Sequence, residues 1–397
     1  MEADIIIVGA GIAGLWTGIE LLKKKRKTVV ILEKYGYIGG RVITYSKDGH
    51  QWENGAGRIS SKHTMVLDLI KRYKLKTIPL SDKSLYSSKG HLSKNTFNEM
   101  ILPILPLLDG IDLSIVTLEE VLHKVLGKEK ALNILHQFAY NSEMTTLRAD
   151  LAIKSFQEDM THDTFFVVKG GLSSLIRCMV NEFQKLGGHI FCKQDVVEVT
   201  PNLEVVAKTH SGTVLWKAPK VILALHSDAT KQLLPTWSTL KHLKMEPLLR
   251  TYAVFPKPWF SDLERVVTDG PIRYFIPVSD KVSMISYTDG SSARPLLEIL
   301  EKEGETGLCK YILQELRTMF PDRDIPDPTF FKAHPWYSGC TYWLPGNYDV
   351  IKESKKSIQP FADRPGLYVC GESYSLRQAW MEGALEQADL LLDSFTY

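Results

Sequence analysis

The stretch Ile5-Ile6-Ile7-Val8-Gly9-Ala10-Gly11-Ile12-Ala13-Gly14 decides the fold of this chain. It is an apolar strand that runs directly into a turn of the form G-x-G-x-x-G. A helical pattern follows at residues 15–22, and a second apolar strand at residues 28–32 ends at Glu33. Glu33 lies 19 residues after Gly14 (33 − 14), close to the spacing of about 20 at which an acid reaches a bound ribose. The pattern predicts a dinucleotide-binding unit.

Each glycine of this turn has a separate physical task. Gly9 permits the tight turn, Gly11 lets the backbone approach a pyrophosphate, and Gly14 allows helix and strand to pack closely. The start of the helix, which includes Ala13, presents free N–H groups to the phosphates. An acid at Glu33 suits a ribose without a 2′-phosphate, such as that of FAD or NAD.

Length and composition exclude several classes of protein. The chain has 397 residues, which suffices for two domains or for one domain with a large insertion. Hydrophobic content of 44% and charged content of 24% are those of an ordinary globular protein. A net charge of +2 argues against a nucleic-acid platform. The basic run at residues 23–27 ends the first predicted helix, where cations favour the macrodipole and face solvent.

Five scattered cysteines show no C-x-x-C pair and no zinc spacing, and H-E-x-x-H is absent. We therefore predict no metal site and a reducing, cytoplasmic or other intracellular soluble compartment. We expect no signal peptide before the first strand and no span of the roughly 18–20 apolar residues that cross a bilayer. The apolar segment 101–108 is broken by Pro103 and Pro106. It predicts a buried or lid segment, with membrane contact as the alternative.

The rest of the chain alternates between helical and strand patterns. We expect helices at residues 118–126, 131–140, 172–186 and 296–320, and a terminal helix to about residue 395. We expect strands at residues 165–168, 190–199, 205–210, 214–217, 221–225, 248–255, 273–276, 282–287 and 367–370. The last strand leads into Gly371-Glu372 and a helix, so the C-terminus repeats the arrangement of the N-terminus.

This return predicts that both chain ends build one nucleotide domain. The fold class is then α/β, with a discontinuous Rossmann-like FAD-binding domain and an inserted α+β substrate-binding domain. We assign residues 1–75, 165–235 and 346–397 to the FAD-binding domain. Residues 76–164 and 236–345 form the predicted substrate domain.

Four motifs carry a resemblance to a known family. After Glu33, Gly39-Gly40-Arg41-Val42 resembles the G-G-R element of the flavin-containing amine oxidases, which include monoamine, polyamine and L-amino acid oxidases. Lys169-Gly170-Gly171-Leu172 resembles the family's mid-chain glycine pair. Gly371-Glu372-Ser373 and the segment from Gln378 to Ala384 resemble its closing signature, except that residue 379 is alanine rather than the usual glycine.

The resemblance implies an extended, non-covalently bound FAD. Its adenosine end would lie at Glu33 and Val196, and its ring between the two domains. The cofactor-binding residues that the motifs imply are Gly9, Gly11, Ala13, Gly14, Glu33, Gly40, Arg41, Gly55, Ala56, Gly57, Arg58, Val196, Gly371, Glu372, Ala379, Trp380, Met381 and Ala384. Ser338-Gly339-Cys340 is similar to the segment that links covalently to FAD in monoamine oxidases. Its spacing to Pro345-Gly346 differs, so we expect a plain thiol.

The loop at residues 54–63 suggests the branch of the family. Its glycine-rich part resembles the loop along the flavin ring, where L-amino acid oxidases place an arginine followed shortly by Lys-His. This chain has Arg58 and Lys62-His63 there. A guanidinium binds a carboxylate bidentately, so Arg58 is the predicted substrate anchor. Alternatively, Arg58 pairs with a structural acid such as Glu53 or with an FAD phosphate.

Two further features concern the predicted catalytic site. Many family members carry a lysine that holds a water near flavin N5; here the matching residue is Arg250, which cannot act as a neutral amine. The family builds an aromatic cage opposite the flavin, and Trp380 with Trp336, Tyr342 and Trp343 are the candidates. Ordinary core packing is the alternative for each aromatic side chain.

The predicted function is oxidation of the C–N bond of a small-molecule substrate, an L-amino acid for preference. Hydride moves to flavin N5, an imine results, and O2 reoxidises the flavin to give hydrogen peroxide. The alternatives are a mono- or polyamine oxidase, a flavin dehydrogenase or desaturase with another electron acceptor, and a non-catalytic FAD-binding protein. The sequence does not predict an oligomeric state.

Overall fold

The structure is a computed structural model that describes residues 1–24, 27–160 and 164–395, so Lys25 and Arg26 of the basic run lie outside the described residues. Two compact units divide the chain. Unit 1 comprises Met1–Leu80, Asp163–Lys244 and Tyr348–Tyr397, and unit 2 comprises Ser81–His162 and Met245–Asn347. The chain passes from one unit to the other after residues 80, 162, 244 and 347. The sequence analysis places the same four boundaries after residues 75, 164, 235 and 345.

The strands lie along the chain as follows: β1 (Ile5–Val8), β2 (Val29–Leu32), β3 (Thr44–Lys47), β4 (His50–Glu53), β5 (Ile59–Ser60), β6 (Thr77–Pro79), β7 (Ser84–Ser88), β8 (His91–Lys94), β9 (Phe165–Val168), β10 (His189–Phe191), β11 (Asp195–Val199), β12 (Glu204–Thr209), β13 (Gly212–Lys217), β14 (Lys220–Leu223), β15 (Leu243–Val254), β16 (Arg265–Thr268), β17 (Tyr274–Pro277), β18 (Val282–Asp289), β19 (Phe330–Trp343) and β20 (Leu367–Val369).

The α-helices are α1 (Ile12–Lys24), α2 (Thr64–Arg72), α3 (Phe97–Ile101), α4 (Leu118–Leu126), α5 (Lys128–Gln137), α6 (Asn141–Thr145), α7 (Ala149–Ser155), α8 (Ser173–Lys185), α9 (Ser227–Leu233), α10 (Gly290–Met319), α11 (Val350–Lys356) and α12 (Met381–Ser394). Short 3-10 segments occupy Leu102–Leu108, Ser238–His242 and Glu372–Tyr374. A π-helical turn occupies Phe156–Met160.

Unit 1 contains a parallel sheet with the strand order β10-β2-β1-β14-β20. In register, Ile5 pairs with Val29 on one side and with Lys220 on the other. Strands β1 and β2 are buried along their whole length, which explains why both read as continuous apolar runs. All five strands present their carboxyl ends at one edge, where open α/β sheets bind ligands.

Both faces of this sheet are covered within unit 1. On one face α1 packs against α12 and α8, and the shared core includes Leu15, Phe183 and Leu385. On the other face the core includes Val205 and Trp216 of the antiparallel sheet β11-β12-β13. The carboxyl edge therefore remains the place where the loops after β1, β2, β14 and β20 meet.

Unit 2 is built on a seven-stranded sheet with the order β19-β15-β18-β17-β16-β7-β8. Helix α10 packs on β18 and β19, and the shared core includes Leu316 of the helix together with Leu249 and Phe275. Gly304, with φ at 70°, interrupts the long helix. In the apolar segment 101–108, Ile104 and Leu108 are buried, whereas Leu107 is 59% exposed. Among the described residues, no helix is long and apolar enough to cross a membrane.

The prediction of one continuous strand at residues 190–199 is wrong, because this segment forms two separate strands. Strand β10 ends at Phe191, and β11 begins at Asp195 in a different sheet. Lys193 between them adopts φ at 57°, and its N–H donates to the Tyr35 carbonyl at 3.1 Å. The chain turns here because it bonds to the loop that follows Glu33.

Candidate active site

The first turn of the parallel sheet uses its glycines in two different ways. A Cβ at Gly14 would lie 2.1 Å from the Gly9 carbonyl oxygen, and one at Gly9 would lie 2.6 Å from the Ala224 oxygen. Contacts inside the protein therefore require both glycines. A Cβ at Gly11 would meet no atom within 4 Å. At Gly11, therefore, bare backbone borders open space. This is the arrangement expected where a ligand approaches the backbone closely.

The second glycine pair borders the same turn. Gly39 donates its N–H to the Ala10 carbonyl at 3.0 Å and has φ at 121°. A Cβ at Gly40 would lie 3.5 Å from the Cα of Gly11. The two glycine-rich segments thus lie side by side, although the sequence presents them as two separate motifs.

Glu33 is buried at the carboxyl end of β2. Its two carboxylate oxygens accept the N–H groups of Ala10 and Tyr35, each at 2.9 Å. Burial raises the pKa of Glu33, and these backbone hydrogen bonds oppose that shift. A carboxylate has about four acceptor sites, so Glu33 retains capacity for ribose hydroxyls. The sequence analysis missed that it also ties the first turn to the next loop.

Residues from both chain ends form an ion pair. Arg41 Nη2 donates to Glu372 Oε2 at 2.7 Å, and the N–H of Ala379 donates to Glu372 Oε1 at 2.7 Å. Ala379 has φ at 65°, a left-handed conformation that favours glycine. The alanine therefore occupies the turn that the family's glycine would occupy, at some cost in strain.

Arg58 lies against two aromatic rings. Its guanidinium carbon is 4.2 Å from the centre of Phe165 and 5.4 Å from that of Trp380, whose rings stack at 6.2 Å. His63 meets Trp380 edge-on at 4.7 Å. The structure thus brings Arg58, Trp380 and His63 together within unit 1. The sequence analysis did not single out Phe165; an aromatic residue that opens a predicted strand gives no distinctive signal.

In the loop before Arg58, Gly55 is needed because of a contact that the sequence alone does not indicate. A Cβ at Gly55 would lie 2.0 Å from the Arg41 carbonyl oxygen, which also accepts the Ala56 N–H at 2.9 Å. Gly55 is therefore required by the Arg41 backbone. This contact holds the residue 55–58 loop against the G-G-R segment.

Several other motif residues are buried and support the backbone. Ala13, Met381 and Ala384 lie in the core of unit 1. Glu382 accepts the N–H groups of Met65 at 2.8 Å and Val66 at 3.0 Å, and so caps α2. Val196 is partly exposed in β11 and pairs with Ala207.

In unit 2, Arg250 lies among tyrosines. Its guanidinium is 5.3 Å from the centre of the Tyr287 ring, its register partner on β18. Burial lowers the pKa of Arg250, but the neighbouring hydroxyls of Tyr252, Tyr287 and Tyr140 outweigh it and raise the pKa above its usual value. Arg250 is thus a fixed cation and cannot serve as a base.

The aromatic candidates on β19 differ in exposure. Trp343 is completely buried and Tyr342 nearly so, while Trp336 is partly exposed. Cys340 is a partly buried cysteine on the same strand and is not part of a disulfide. Within the described residues, no group of three or more His, Cys, Asp or Glu side chains is arranged to hold a metal ion.

Together, the open cradle at Gly11, the acceptor at Glu33 and the Arg41–Glu372 pair fit a flavin adenine dinucleotide, which makes this fold that of a dinucleotide-binding flavoprotein. The sequence model of the family described as flavin containing amine oxidoreductase matches residues 12–145 and 127–390. The chain belongs to that family. It is an oxidoreductase that acts on amines, and its cofactor is FAD.

Individual relatives differ in their named substrates. Polyamine oxidase 7 from Oryza sativa subsp. japonica is 22% identical over 396 residues, which covers 84% of this chain and 82% of the relative. The L-amino-acid oxidase of Gloydius halys is 24% identical over 285 residues, covering 62% and 54% of the two chains. A double mutant of putrescine oxidase has the same fold, with a TM-score of 0.75, 16% identity and 99% coverage of each chain.

Proposed function

We propose that this amine oxidoreductase oxidises L-amino acids and that Arg58 binds the substrate α-carboxylate. The observation that carries the proposal is the position of the Arg58 guanidinium against Phe165 and Trp380, on the loop that the Arg41 backbone holds. The L-amino-acid oxidase among the relatives supports the same substrate class. Bound FAD would supply the hydride acceptor.

The rings beside Arg58 would orient its donors. A guanidinium that lies on an aromatic face keeps its N–H groups in one plane, along its edges, where a carboxylate can be bound bidentately. Because Phe165 and Trp380 restrict that plane, less rotamer entropy is lost when the carboxylate binds. Arg58 would thus fix the substrate's α-carbon, while the apolar rings exclude water from the pair.

Arg250 would contribute a second, permanent positive charge in unit 2. Since it stays protonated, it can attract or orient an anionic group but cannot accept a proton. The aromatic residues Trp336, Tyr342 and Trp343 of β19 stay candidates for substrate contact; of the three, Trp336 is partly exposed, and Tyr342 and Trp343 are buried. We further propose that the protein is intracellular and that O2 reoxidises its flavin.

Oxidation of a mono- or polyamine is the second candidate. It is favoured by the polyamine oxidase that matches over most of both chains. Arg58 would then have a structural role, holding the loop against Phe165 and Trp380, and the substrate would carry no carboxylate.

The test is Arg58→Met on a matched pair of substrates, an amino acid and its decarboxylated amine. Loss of one partner of a buried ion pair costs about 2–5 kcal/mol, so kcat/KM for the amino acid should fall about 30- to several-thousandfold. The amine should be affected far less. Rates of flavin reduction without O2, measured for both substrates and both proteins, form a double-mutant cycle.

Arg58→Lys is the matched control. It keeps the charge but loses the planar fork, so it should recover only part of the amino-acid rate. Equal losses on both substrates would instead assign Arg58 to the loop and favour amine oxidation. Peroxide formation in air, across a panel of amines and amino acids, tests O2 as the electron acceptor.

A further inference from the structure

His226 lies at the carboxyl edge of the parallel sheet of unit 1, three residues beyond the end of β14. Strand β14 lies between β1 and β20, whose carboxyl ends carry the first glycine turn and Gly371-Glu372. Ala224 donates its N–H to the Val8 carbonyl at 2.9 Å. A Cβ at Gly371 would lie 3.7 Å from the Leu225 carbonyl oxygen. The segment that ends at His226 is therefore enclosed between two cofactor-binding turns.

The exposure of this segment changes abruptly. Residues 221–223 are completely buried, whereas Ala224, Leu225 and His226 are each partly exposed. The surface opens at the point where the first turn has its ligand cradle beside Gly11. A side chain that projects here faces the region that the dinucleotide would occupy.

The hydrogen bonding of His226 fixes which ring nitrogen carries the proton. Nδ1 accepts the N–H of Ala229 at 3.3 Å and so caps α9. Because a backbone N–H can only donate, Nδ1 is unprotonated, and the neutral ring carries its proton on Nε2. Burial, together with the nearby Arg41, lowers the pKa of His226 to about 4, so the ring is neutral near pH 7. Nε2–H has no hydrogen-bond partner among the described residues.

The charged groups around the ring indicate its position along the cofactor. Arg41 and Lys34 act on it as cations, and Glu372 and Asp228 act as anions. Lys34 follows the ribose acid Glu33 in the chain, whereas Arg41 and Glu372 belong to the G-G-R and closing motifs. His226 is thus near both the adenosine end and the G-G-R segment, which is where a pyrophosphate would lie.

We propose that the Nε2–H of His226 donates a hydrogen bond to the pyrophosphate of bound FAD. His226 is then a cofactor-binding residue that no sequence motif indicates. The same ring links the cofactor to α9, because Nδ1 holds the first turn of that helix while Nε2 holds the phosphate. This inference rests on the FAD site described above and is independent of the substrate.

The test compares FAD binding by apoprotein variants that keep the helix cap. In His226→Asn the amide oxygen can accept the Ala229 N–H, but the shorter side chain has no donor at the position of the histidine Nε2. A hydrogen bond to a charged acceptor is lost with it, so the Kd for FAD should rise about tenfold or more. His226→Asp also keeps the cap and adds a negative charge beside the pyrophosphate, so its Kd should rise further. His210→Asn, on an exposed turn, is the control and should bind FAD as the parent does.

Two readouts decide the outcome: FAD titration followed by fluorescence, and thermal unfolding of each apoprotein. Weaker FAD binding in the order Asn, then Asp, with apoprotein midpoints near that of the parent, supports the proposal. Unchanged FAD affinity in both variants overturns it. An equal loss of apoprotein stability and affinity would also overturn it, since His226 would then act through α9 alone. Failure of the parent itself to bind FAD would instead refute the cofactor site as a whole.

Discussion

Gly11 and Gly14 belong to the same turn, yet replacing each with alanine should have opposite consequences. Gly11→Ala places a methyl group in open space, where no protein atom lies within 4 Å. Its φ is not in the left-handed region, so the apoprotein should fold normally and gain about 0.4–1 kcal/mol from the less flexible unfolded chain. The same methyl group would occupy the space through which the backbone approaches FAD.

The magnitudes follow from steric overlap. Overpacking of a tight contact costs about 1–3 kcal/mol, so Gly11→Ala should raise the Kd for FAD about 5- to 150-fold. In Gly14→Ala the new Cβ lies 2.1 Å from the Gly9 carbonyl oxygen, a backbone atom that cannot simply rotate away. Alanine favours the α1 helix by about 1 kcal/mol, but the clash should exceed this gain and destabilise the apoprotein.

The assay measures thermal unfolding of apoprotein and FAD titration for the parent and both variants. Gly11→Ala should leave the unfolding midpoint of the apoprotein unchanged and weaken FAD binding. Gly14→Ala should lower the unfolding midpoint of the apoprotein. If Gly11→Ala binds FAD as tightly as the parent, the open space beside Gly11 is not the pyrophosphate cradle. If it unfolds as readily as Gly14→Ala, the reasoning from the glycine contacts is refuted.

Two further predictions concern stability. The pKa of His226 is about 4 in the folded state against about 6.5 unfolded, so its contribution is complete above pH 6.5 and is lost as the pH falls toward 4. At pH 5 the loss is about 2 kcal/mol; urea unfolding at pH 7 and pH 5 should show a smaller loss in His226→Asn, and an equal loss would contradict the assignment. Ala379→Gly should raise the free energy of unfolding by about 0.5–1 kcal/mol, because φ at 65° strains an alanine. The control is Ala388→Gly inside α12, which should lower the free energy of unfolding by about 1 kcal/mol. If Ala388→Gly also stabilised the protein, strain at Ala379 would not explain the effect of Ala379→Gly.

The sequence predicted best where one local rule determines the structure. The run from Ile5 to Gly14 predicted β1, its turn and α1, because buried parallel strands and tight turns admit few residue types. Two hairpins were missed. Asp48-Gly49 joins β3 to β4, and Lys89-Gly90 joins β7 to β8, with positive φ at all four residues. Asp-Gly is a typical pair for a two-residue hairpin turn, so the first hairpin had a signal in the sequence, whereas Lys-Gly is not such a pair.

Other features depend on residues far apart in the chain and could not be predicted locally. Glu382 caps α2 from a position 316 residues beyond Val66. The break in the predicted strand at residues 190–199 depends on the Tyr35 carbonyl, to which Lys193 donates. No local sequence pattern indicates these contacts, since each forms only when segments far apart in the chain fold together.

The sequence predicts the cofactor site more clearly than the substrate, and the reason is physical. The FAD cradle is made of backbone, and only glycine fits a turn as close as the one at Gly14, so the glycine pattern of the sequence indicates the cofactor site. A carboxylate anchor is a side chain, and an arginine beside aromatic rings such as Phe165 serves equally well as a substrate ligand or as a loop brace. The geometry around Arg58 is compatible with both roles, but their energies differ, because only a ligand loses its effect when the substrate carboxylate is removed. The double-mutant cycle on an amino acid and its amine therefore discriminates the substrate class, which cofactor affinity cannot do.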